Sequence, residues 1–207
     1  MTFNTEQKIA LSAPLDRAHV AQRQQGGSKV SYIEGWHAIQ EANRIFGFDG
    51  WTREMVDLRQ LGEPYQVAGK DTWRVNYSAR VRITAGGVVR DGCGFGQGID
   101  KDVGQAHESA LKEAETDAMK RAFMTFGNPF GLALYDKSQA NVAEALPASV
   151  QTMIDGLADA ANDGEAAMAK YWGDHWPAIP QEHRPRVLAE KERLKAAANV
   201  VNLVRAG

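Results

Sequence analysis

Lys120 and Arg121 are adjacent cations near the end of the longest helical pattern in the sequence, and together they could hold a phosphate group. The planar guanidinium of arginine matches phosphate oxygens in a bidentate manner. Cations near a helix C-terminus also interact favourably with the helix dipole without any ligand. The pair by itself therefore leaves both interpretations open. Lys101, in the loop before this helix, and Lys112, within it, are further candidate phosphate contacts.

A second group of cations lies on a predicted strand. Residues 74–83 alternate between apolar and polar side chains, and successive side chains of a strand point to opposite faces. Arg74, Arg80 and Arg82 share the polar face, to which this strand contributes no acidic residue. That face is either a solvated surface or a surface that meets phosphates.

A third group surrounds a short glycine turn. Arg23 and Lys29 flank the Gly-Gly pair at positions 26–27, and Tyr32 follows it. Glycines let a backbone approach a ligand closely, and a tyrosine either stacks on a base or packs in a core. A basic groove with aromatic side chains is the general layout for binding single-stranded nucleic acid without sequence preference.

The spacing of apolar residues predicts an α+β fold, in which an antiparallel sheet of about three to four strands packs with a long helix. A helical C-terminal extension follows. The predicted elements are a short helix near residues 14–24, a strand at 29–34, a helix at 35–46, strands at 51–61, 72–84 and 88–97, and a helix at 103–126.

One face of the last predicted strand is almost bare, because glycines alternate along it. The long helix carries a stripe of alanines four residues apart, which allows a close approach of two backbones. We therefore expect this helix to lie on that strand, and we do not interpret the glycines as a phosphate loop. The glycines are at positions 92, 94, 96 and 98, and the alanines are at 106, 110, 114, 118 and 122.

Composition narrows the class of protein. The 207 residues carry a net charge of −2, and residues 1–140 hold as many acidic as basic side chains, so any nucleic-acid surface must be a local patch. The sequence has no apolar run of the roughly 20 residues that a membrane span needs, and no signal-peptide layout. The single cysteine, Cys93, suits a reducing compartment. We expect a cytoplasmic protein without a cofactor and without membrane association.

Four segments resemble, in order and in spacing, the N-terminal domain of the Rad fifty-two type single-strand annealing proteins. They read KVSYIEG at residues 29–35, ANRIFGFDGW at 42–51, TDAMKRAF at 116–123 and FGN at 126–128. The resemblance is strongest over residues 15–137. It predicts an annealing domain at 1–137, a linker at 138–149 and a small helical region at 150–207.

The resemblance implies a closed homo-oligomeric ring of about ten or eleven subunits. A basic groove around its outside would hold single-stranded DNA with the bases outward, ready to anneal to a complement in recombination and repair. By motif position, Arg23, Tyr32, Lys120 and Arg121 line this inner groove, and Lys101 belongs to a second, outer DNA site. We add Lys29 to the inner set because it flanks the same glycine turn.

Two features depart from the family pattern. Met124 stands where better-known members carry another groove cation, so that charge is either missing or supplied by one of the three arginines of residues 74–83. The glycine turn before Lys29 is one residue shorter, which shifts Arg23. The tail after Lys137 does not resemble the recombinase-binding region of eukaryotic members. From the short chain and this tail we expect a bacterial or phage source.

Two other classes of protein compete with an annealing protein. A metal-dependent nuclease needs convergent carboxylates, for which the sequence offers Asp100 and Asp102 in one loop and an ion-paired acidic helix face. A nucleic-acid-binding adaptor would recruit recombination partners, such as a single-strand-binding protein or an exonuclease, through the C-terminal helices. Trp172, Trp176 and the apolar residues of 187–204 are the candidate contacts for such a partner.

Overall fold

The structure, a computed structural model, describes residues 2–205, apart from the side chains at positions 25, 193 and 196–205. The chain divides into two compact units, residues 1–144 and 145–207. The helices are α1 Thr5–Ser12, α2 Gly35–Phe46, α3 Val103–Met124, α4 Ala148–Asp163, α5 Glu165–His175 and α6 Arg184–Arg205. The strands are β1 Leu15–Asp16, β2 Val20–Gln25, β3 Ser28–Ile33, β4 Trp51–Gln60, β5 Tyr65–Gln66, β6 Trp73–Ala85, β7 Val88–Asp100 and β8 Val142–Ala143. This architecture confirms the predicted α+β class.

The first unit is built on an antiparallel sheet with β6 at its centre. β7 pairs along one side of β6 over its whole length, while β4 and the short β5 pair along the other side. A turn with two glycines at positive φ, Gly86 and Gly87, connects β6 to β7. β7 reaches Asp100, three residues beyond the predicted end of this strand, because its last residues pair with the start of β6.

Helix α3 lies against the bare face of β7, as the glycine and alanine spacing predicts. The alanines of its stripe are fully buried, and a Cβ atom added at any of the four alternating glycines would overlap the α3 backbone. Val81 and Ile83 of β6 and Phe123 of α3 are buried in the same core. The helix ends at Met124, where Thr125 caps it, two residues earlier than predicted.

Residues 14–24 do not form the predicted helix. They form β1, a single 3₁₀ turn at Arg17–His19 and β2, which pairs with β3 as an antiparallel hairpin. Gly26 and Gly27 have φ values of +56° and +83°, the left-handed values that a two-residue hairpin turn requires. Cross-strand pairing through this turn overrides the helical preference of the alanines and glutamines, because helix propensity is only a weak prior.

The stretch expected to be a linker, residues 138–149, contains β8. Its Val142 and Ala143 pair in parallel with Leu15 and Asp16 of β1. Leu15 and Val142 are both buried in the core of the first unit. The first unit therefore extends to Glu144.

The second unit consists of α4, α5 and α6 with two 3₁₀ turns between α5 and α6. Val150 and Met153 of α4 are buried with Ile179 and Val187. The indole rings of Trp172 and Trp176 stack at 4.5 Å, half-buried against this cluster. Leu194 is buried too, and the predicted apolar stripe beyond residue 195 lies outside the described side chains. Across residues 2–205, none of the helices is long and apolar enough to cross a membrane.

Candidate nucleic-acid interface

Two cations converge on the ring of Tyr32. The guanidinium carbon of Arg23 lies 5.5 Å from the ring centroid, and the ammonium nitrogen of Lys120 lies 5.4 Å from it. Contacts at this range are worth about 0.5–1 kcal/mol each at exposed sites. We call these three residues the Tyr32 cluster. It places two positive charges beside an aromatic face, an arrangement suited to a phosphate next to a base or sugar.

The hairpin sets the geometry of this cluster. Ala21 is opposite Tyr32 and Arg23 is opposite Val30, so Arg23 and Tyr32 project from the same face of the β2–β3 hairpin. Lys120 comes from the last two turns of α3, 88 residues later in the sequence. Tertiary packing therefore joins the first and third groups of cations that the sequence suggests.

Lys29 is not part of the Tyr32 cluster. It is opposite Gln24 in the hairpin, and the alternation of side chains places it on the face away from Arg23 and Tyr32. Its side chain is exposed. Within one subunit, Lys29 and the cluster thus face different directions.

The hydroxyl group of Tyr32 is engaged by an acidic neighbour. The phenol donates a hydrogen bond to the carboxylate of Glu34, and this bond is the main cause that raises the pKa of Tyr32. Partial burial raises this pKa further, while the charge of Arg23 lowers it. Tyr32 is therefore a neutral donor at physiological pH, with two cations near its ring.

Arg121 is held at the edge of the sheet. Its Nε donates to Oδ2 of Asp117 at 3.0 Å, one helical turn earlier in α3. The same oxygen accepts the backbone N–H of Phe95 in β7 at 3.4 Å. The Asp117 bond is the main cause that raises the pKa of Arg121, whose side chain is 52% exposed. Lys120 and Arg121 are thus neighbours in sequence that point to different surroundings.

Arg74, Arg80 and Arg82 share one sheet face as predicted, but it is the face opposite α3. The neighbouring strands add acids there that the strand alone does not show. Asp91 of β7 receives two bonds from Arg82, at 2.8 and 3.0 Å, and these bonds lower the pKa of Asp91. Asp57 of β4 is opposite Arg80. Within one subunit, these arginines therefore lie across the sheet from α3, the helix that ends at Met124.

Arg74 differs from the other two arginines on its strand. Its Nε is buried and has no hydrogen-bond partner among the described residues. It is opposite Tyr65 on one side and Ile99 on the other. Arg74 thus lies between two large side chains, with its Nε shielded from solvent.

The remaining candidate lysines lie apart from the Tyr32 cluster. Lys101 is exposed, 3.9 Å from the carboxylate of Asp71. Lys112 forms an ion pair with Glu108 on the exposed side of α3. Both are solvated side chains, and the structure does not bring either of them to Tyr32.

Two arginines near α3 were not singled out from the sequence. Arg53 of β4 contacts Sδ of Met119 at 3.6 Å and the carboxylate of Glu115 at 3.3 Å. Arg90 of β7 stands over the ring of Phe126, 5.9 Å from its centroid, near the end of α3. The alternation of side chains along the strands could have identified both arginines. Each lies opposite Ile83, on the face of the sheet that meets α3.

No group of three or more His, Cys, Asp or Glu residues in the described part of the chain could hold a metal ion. The two carboxylates considered for a nuclease have structural partners. Asp100 accepts the backbone N–H of Asp102, and Asp102 accepts the N–H of Gln105 at the start of α3, both at 2.9 Å. These bonds shape the turn that begins the helix.

The fold and the cluster define an α+β protein with two cations gathered around a half-buried aromatic ring. A family model described as Rad52/22 family double-strand break repair protein matches residues 4–151. The chain belongs to this family.

Curated relatives agree with this assignment. They include the DNA repair and recombination protein rad22 of Schizosaccharomyces pombe, 39% identical over 62% of this chain and 28% of that protein. The DNA repair and recombination protein RAD52 of Kluyveromyces lactis is 41% identical over 54% of the chain and 26% of that protein. The protein of the same name from Saccharomyces cerevisiae is 37% identical over 54% and 24%. The chain thus matches about a quarter of the length of these relatives.

These relatives are fungal, which contradicts the expected bacterial or phage source and the location inferred with it. That expectation depended on the length of the chain and on the unlike tail. Neither carries information on ancestry, whereas identity over the matched segment does.

Proposed function

We propose that this protein binds single-stranded DNA at the Tyr32 cluster and anneals complementary strands in recombination and double-strand break repair. The single observation that carries the proposal is the convergence of Arg23 and Lys120 on the ring of Tyr32. A phosphate bound there would meet two cationic groups beside an aromatic ring on which a base or sugar can pack. Family membership and the names of the relatives support the biological role.

The mechanism requires no catalytic residue. Two complementary strands repel each other through their phosphates, and a cationic surface neutralises one strand while releasing its counterions. A strand held with its bases outward has already given up part of the orientational entropy that pairing otherwise costs. Pairing then proceeds without a cofactor or a metal ion.

We propose that the protein acts as a ring of about ten or eleven subunits, as the family resemblance implies. The first unit is close to neutral in charge, so one subunit supplies few phosphate contacts. Repeated subunits raise the effective concentration of these contacts along one strand. In this arrangement weak individual sites bind a long strand tightly.

Strand annealing, followed by fluorescence transfer between two labelled complementary oligonucleotides without nucleotide or metal, tests the proposal. We expect the native protein to accelerate annealing and the Lys120→Ala/Arg121→Ala double variant to lose most of the acceleration. Light scattering must show that the variant assembles like the native protein. If the native protein fails to accelerate annealing over a range of salt concentrations, the proposal is wrong.

The same samples separate annealing from a nuclease. A nuclease would shorten the labelled strands in the presence of Mg²⁺, and gel electrophoresis would reveal the products. We expect strands of unchanged length. Cleavage that persists on repurification and disappears in an Asp100→Ala/Asp102→Ala variant would place the protein in the enzyme class.

A further inference from the structure

Asp117 forms an ion pair with Arg121, a residue that we propose to bind DNA phosphate. One oxygen of its carboxylate accepts both the Nε–H of Arg121 and the backbone N–H of Phe95. The side chain of Asp117 is 31% exposed, so solvent and ligands reach the pair. The free protein thus carries a negative group where a phosphate would bind.

Lys120 shows the contrast within the same helix. Its ammonium group lies over the ring of Tyr32, and the described residues provide no carboxylate partner for it. A phosphate that reaches Lys120 displaces no acidic group, whereas a phosphate that reaches Arg121 competes with Asp117. The two adjacent cations are therefore not equivalent binding groups.

We propose that Asp117 is an internal competitor for DNA phosphate, which holds Arg121 in the free protein and weakens its contact with the strand. The inference rests on the proposed function. Arginine has five N–H donors, of which the Asp117 bond uses one, so a phosphate can approach the others before the internal pair opens. Exposed ion pairs are weak, which makes the exchange easy in both directions.

The hydrogen bond from Phe95 keeps Asp117 in place after the Asp117–Arg121 ion pair opens. When a phosphate takes Arg121, Asp117 still accepts the β7 N–H and stays beside the site. Its charge then repels the bound phosphate and speeds dissociation. An annealing protein must release its duplex product, and a retained negative charge favours release over tight storage.

The substitution Asp117→Asn tests this role, because asparagine keeps an oxygen for the Phe95 N–H and removes the charge. Asp174→Asn is the matched control: Asp174 pairs with Lys170 at 2.9 Å, also one turn apart on an exposed helix, but in the second unit. Both substitutions change the net charge by the same amount. Asp117→Ser is a second neutral variant in case the asparagine perturbs folding.

Affinity and dissociation rate are measured with a fluorescent oligothymidine, on variants whose assembly matches the native protein by light scattering. We expect Asp117→Asn and Asp117→Ser to bind about two- to fivefold tighter and to release the strand more slowly. Asp174→Asn should bind like the native protein. In an Arg121→Ala background, Asp117→Asn should bring no gain, because the cation for which Asp117 competes is absent.

The outcomes separate the two hypotheses. An equal gain with Asp174→Asn, or a gain that persists without Arg121, would show a general charge effect and overturn the inference. Native binding with no gain from either Asp117 variant would overturn the inference and leave the proposed function intact. Absence of binding by the native protein would overturn the proposed function, and the inference with it.

Discussion

At the scale of single residues, position in the hydrogen-bonding network distinguishes cations that look alike in the sequence. Arg82 is held between two strands by Asp91, and Arg121 is held by Asp117, whereas Lys120 lies over an aromatic ring. A cation that is paired with a carboxylate must break that pair before it binds a phosphate, and the cost of breaking the pair lowers the affinity. Residue type does not separate these three cations, and the family resemblance places Lys120 and Arg121 together in the inner groove without separating them from each other.

Lys120→Ala should therefore weaken DNA binding and lower its salt dependence. Removing one phosphate contact with a single strand reduces the slope of log K against log salt by about 0.7. The slope should decrease by this amount for each subunit that contacts the strand. Titration of the DNA at several salt concentrations measures the slope. Lys170→Ala, which removes an exposed helical lysine from the second unit, is the control. An unchanged slope for Lys120→Ala would show that this residue does not contact phosphate.

The environment of His37 predicts that the stability of the fold depends on pH. Its side chain is 2% exposed, its ring stacks on His19 at 4.2 Å, and its Nδ1 is buried without a hydrogen-bond partner among the described residues. Burial first, and then the charge of His19, lower the pKa of His37. Arg44 lowers it further, while Glu41 and Asp16 oppose the shift.

Because the pKa of His37 is lower in the folded chain, the unfolded chain binds the extra proton first as pH falls. Stability is complete above the unfolded pKa of about 6.5. Below it, the free energy of unfolding should decrease by up to about 1.4 kcal/mol per pH unit until the folded pKa is passed. Urea denaturation at fixed protein concentration between pH 5 and 8 measures this slope. His37→Phe should flatten this slope, and His175→Gln, which replaces an exposed histidine of the second unit, is measured beside it as the control.

At the scale of elements, the contact of α3 with β7 organises the first unit. The missing side chains of β7 let the helix approach within backbone contact, and this approach places Lys120 and Arg121. The helix also protects the edge of β7, since Glu113 accepts the N–H of Gln97 at 2.9 Å and Asp117 accepts that of Phe95. Exposed strand edges invite pairing with other chains, and carboxylates at the edge discourage it.

Gly94→Ala should disrupt this contact. The new methyl group would overlap backbone atoms of Ala114 and Ala118, which cannot rotate away as a side chain can. We expect a loss of about 1–3 kcal/mol or more in the free energy of unfolding, measured by chemical denaturation. Gly173→Ala, where an added Cβ meets nothing within 4 Å, should be neutral or slightly stabilising. Equal stability of the two variants would contradict the close packing.

At the scale of the whole molecule, two units have separate cores. One core joins the sheet, α2 and α3, and other clusters hold α4, α5 and α6 together. The family model covers the first unit and ends at residue 151, near the start of the second. We expect the first unit to carry DNA binding and the second to serve another purpose, such as recruiting a partner protein.

A fragment of residues 1–144 should therefore fold, assemble and anneal strands at a rate within about twofold of the full chain. Circular dichroism, light scattering and the fluorescence assay measure these three properties. If the fragment assembles as the native protein does but no longer anneals strands, the second unit takes part in annealing itself.

The sequence was sufficient to predict the α+β class, the α2 helix, the three long strands and the packing of α3 on a glycine face. These features depend on local periodicity, and the distance between repeating residues is fixed by the geometry of helices and strands. It also placed Arg23, Tyr32 and Lys120 among the candidates, through motifs in a fixed order. It missed the β2 strand, because pairing with β3 is a cross-strand effect that outweighs local propensity.

The structure shows which of the inner-groove candidates meet in space: Arg23 and Lys120 lie at the ring of Tyr32, whereas Lys29 lies on the other face of the hairpin. Lys120 and Tyr32 are far apart in the sequence and meet because tertiary packing brings the end of α3 beside the hairpin, while Arg74, Arg80 and Arg82 lie on the opposite side of the sheet. Likewise, Asp91 of β7 neutralises Arg82, which looks unpaired along its own strand. The availability of a charge depends on neighbours in space, and those neighbours come from elements whose register the sequence pattern does not specify.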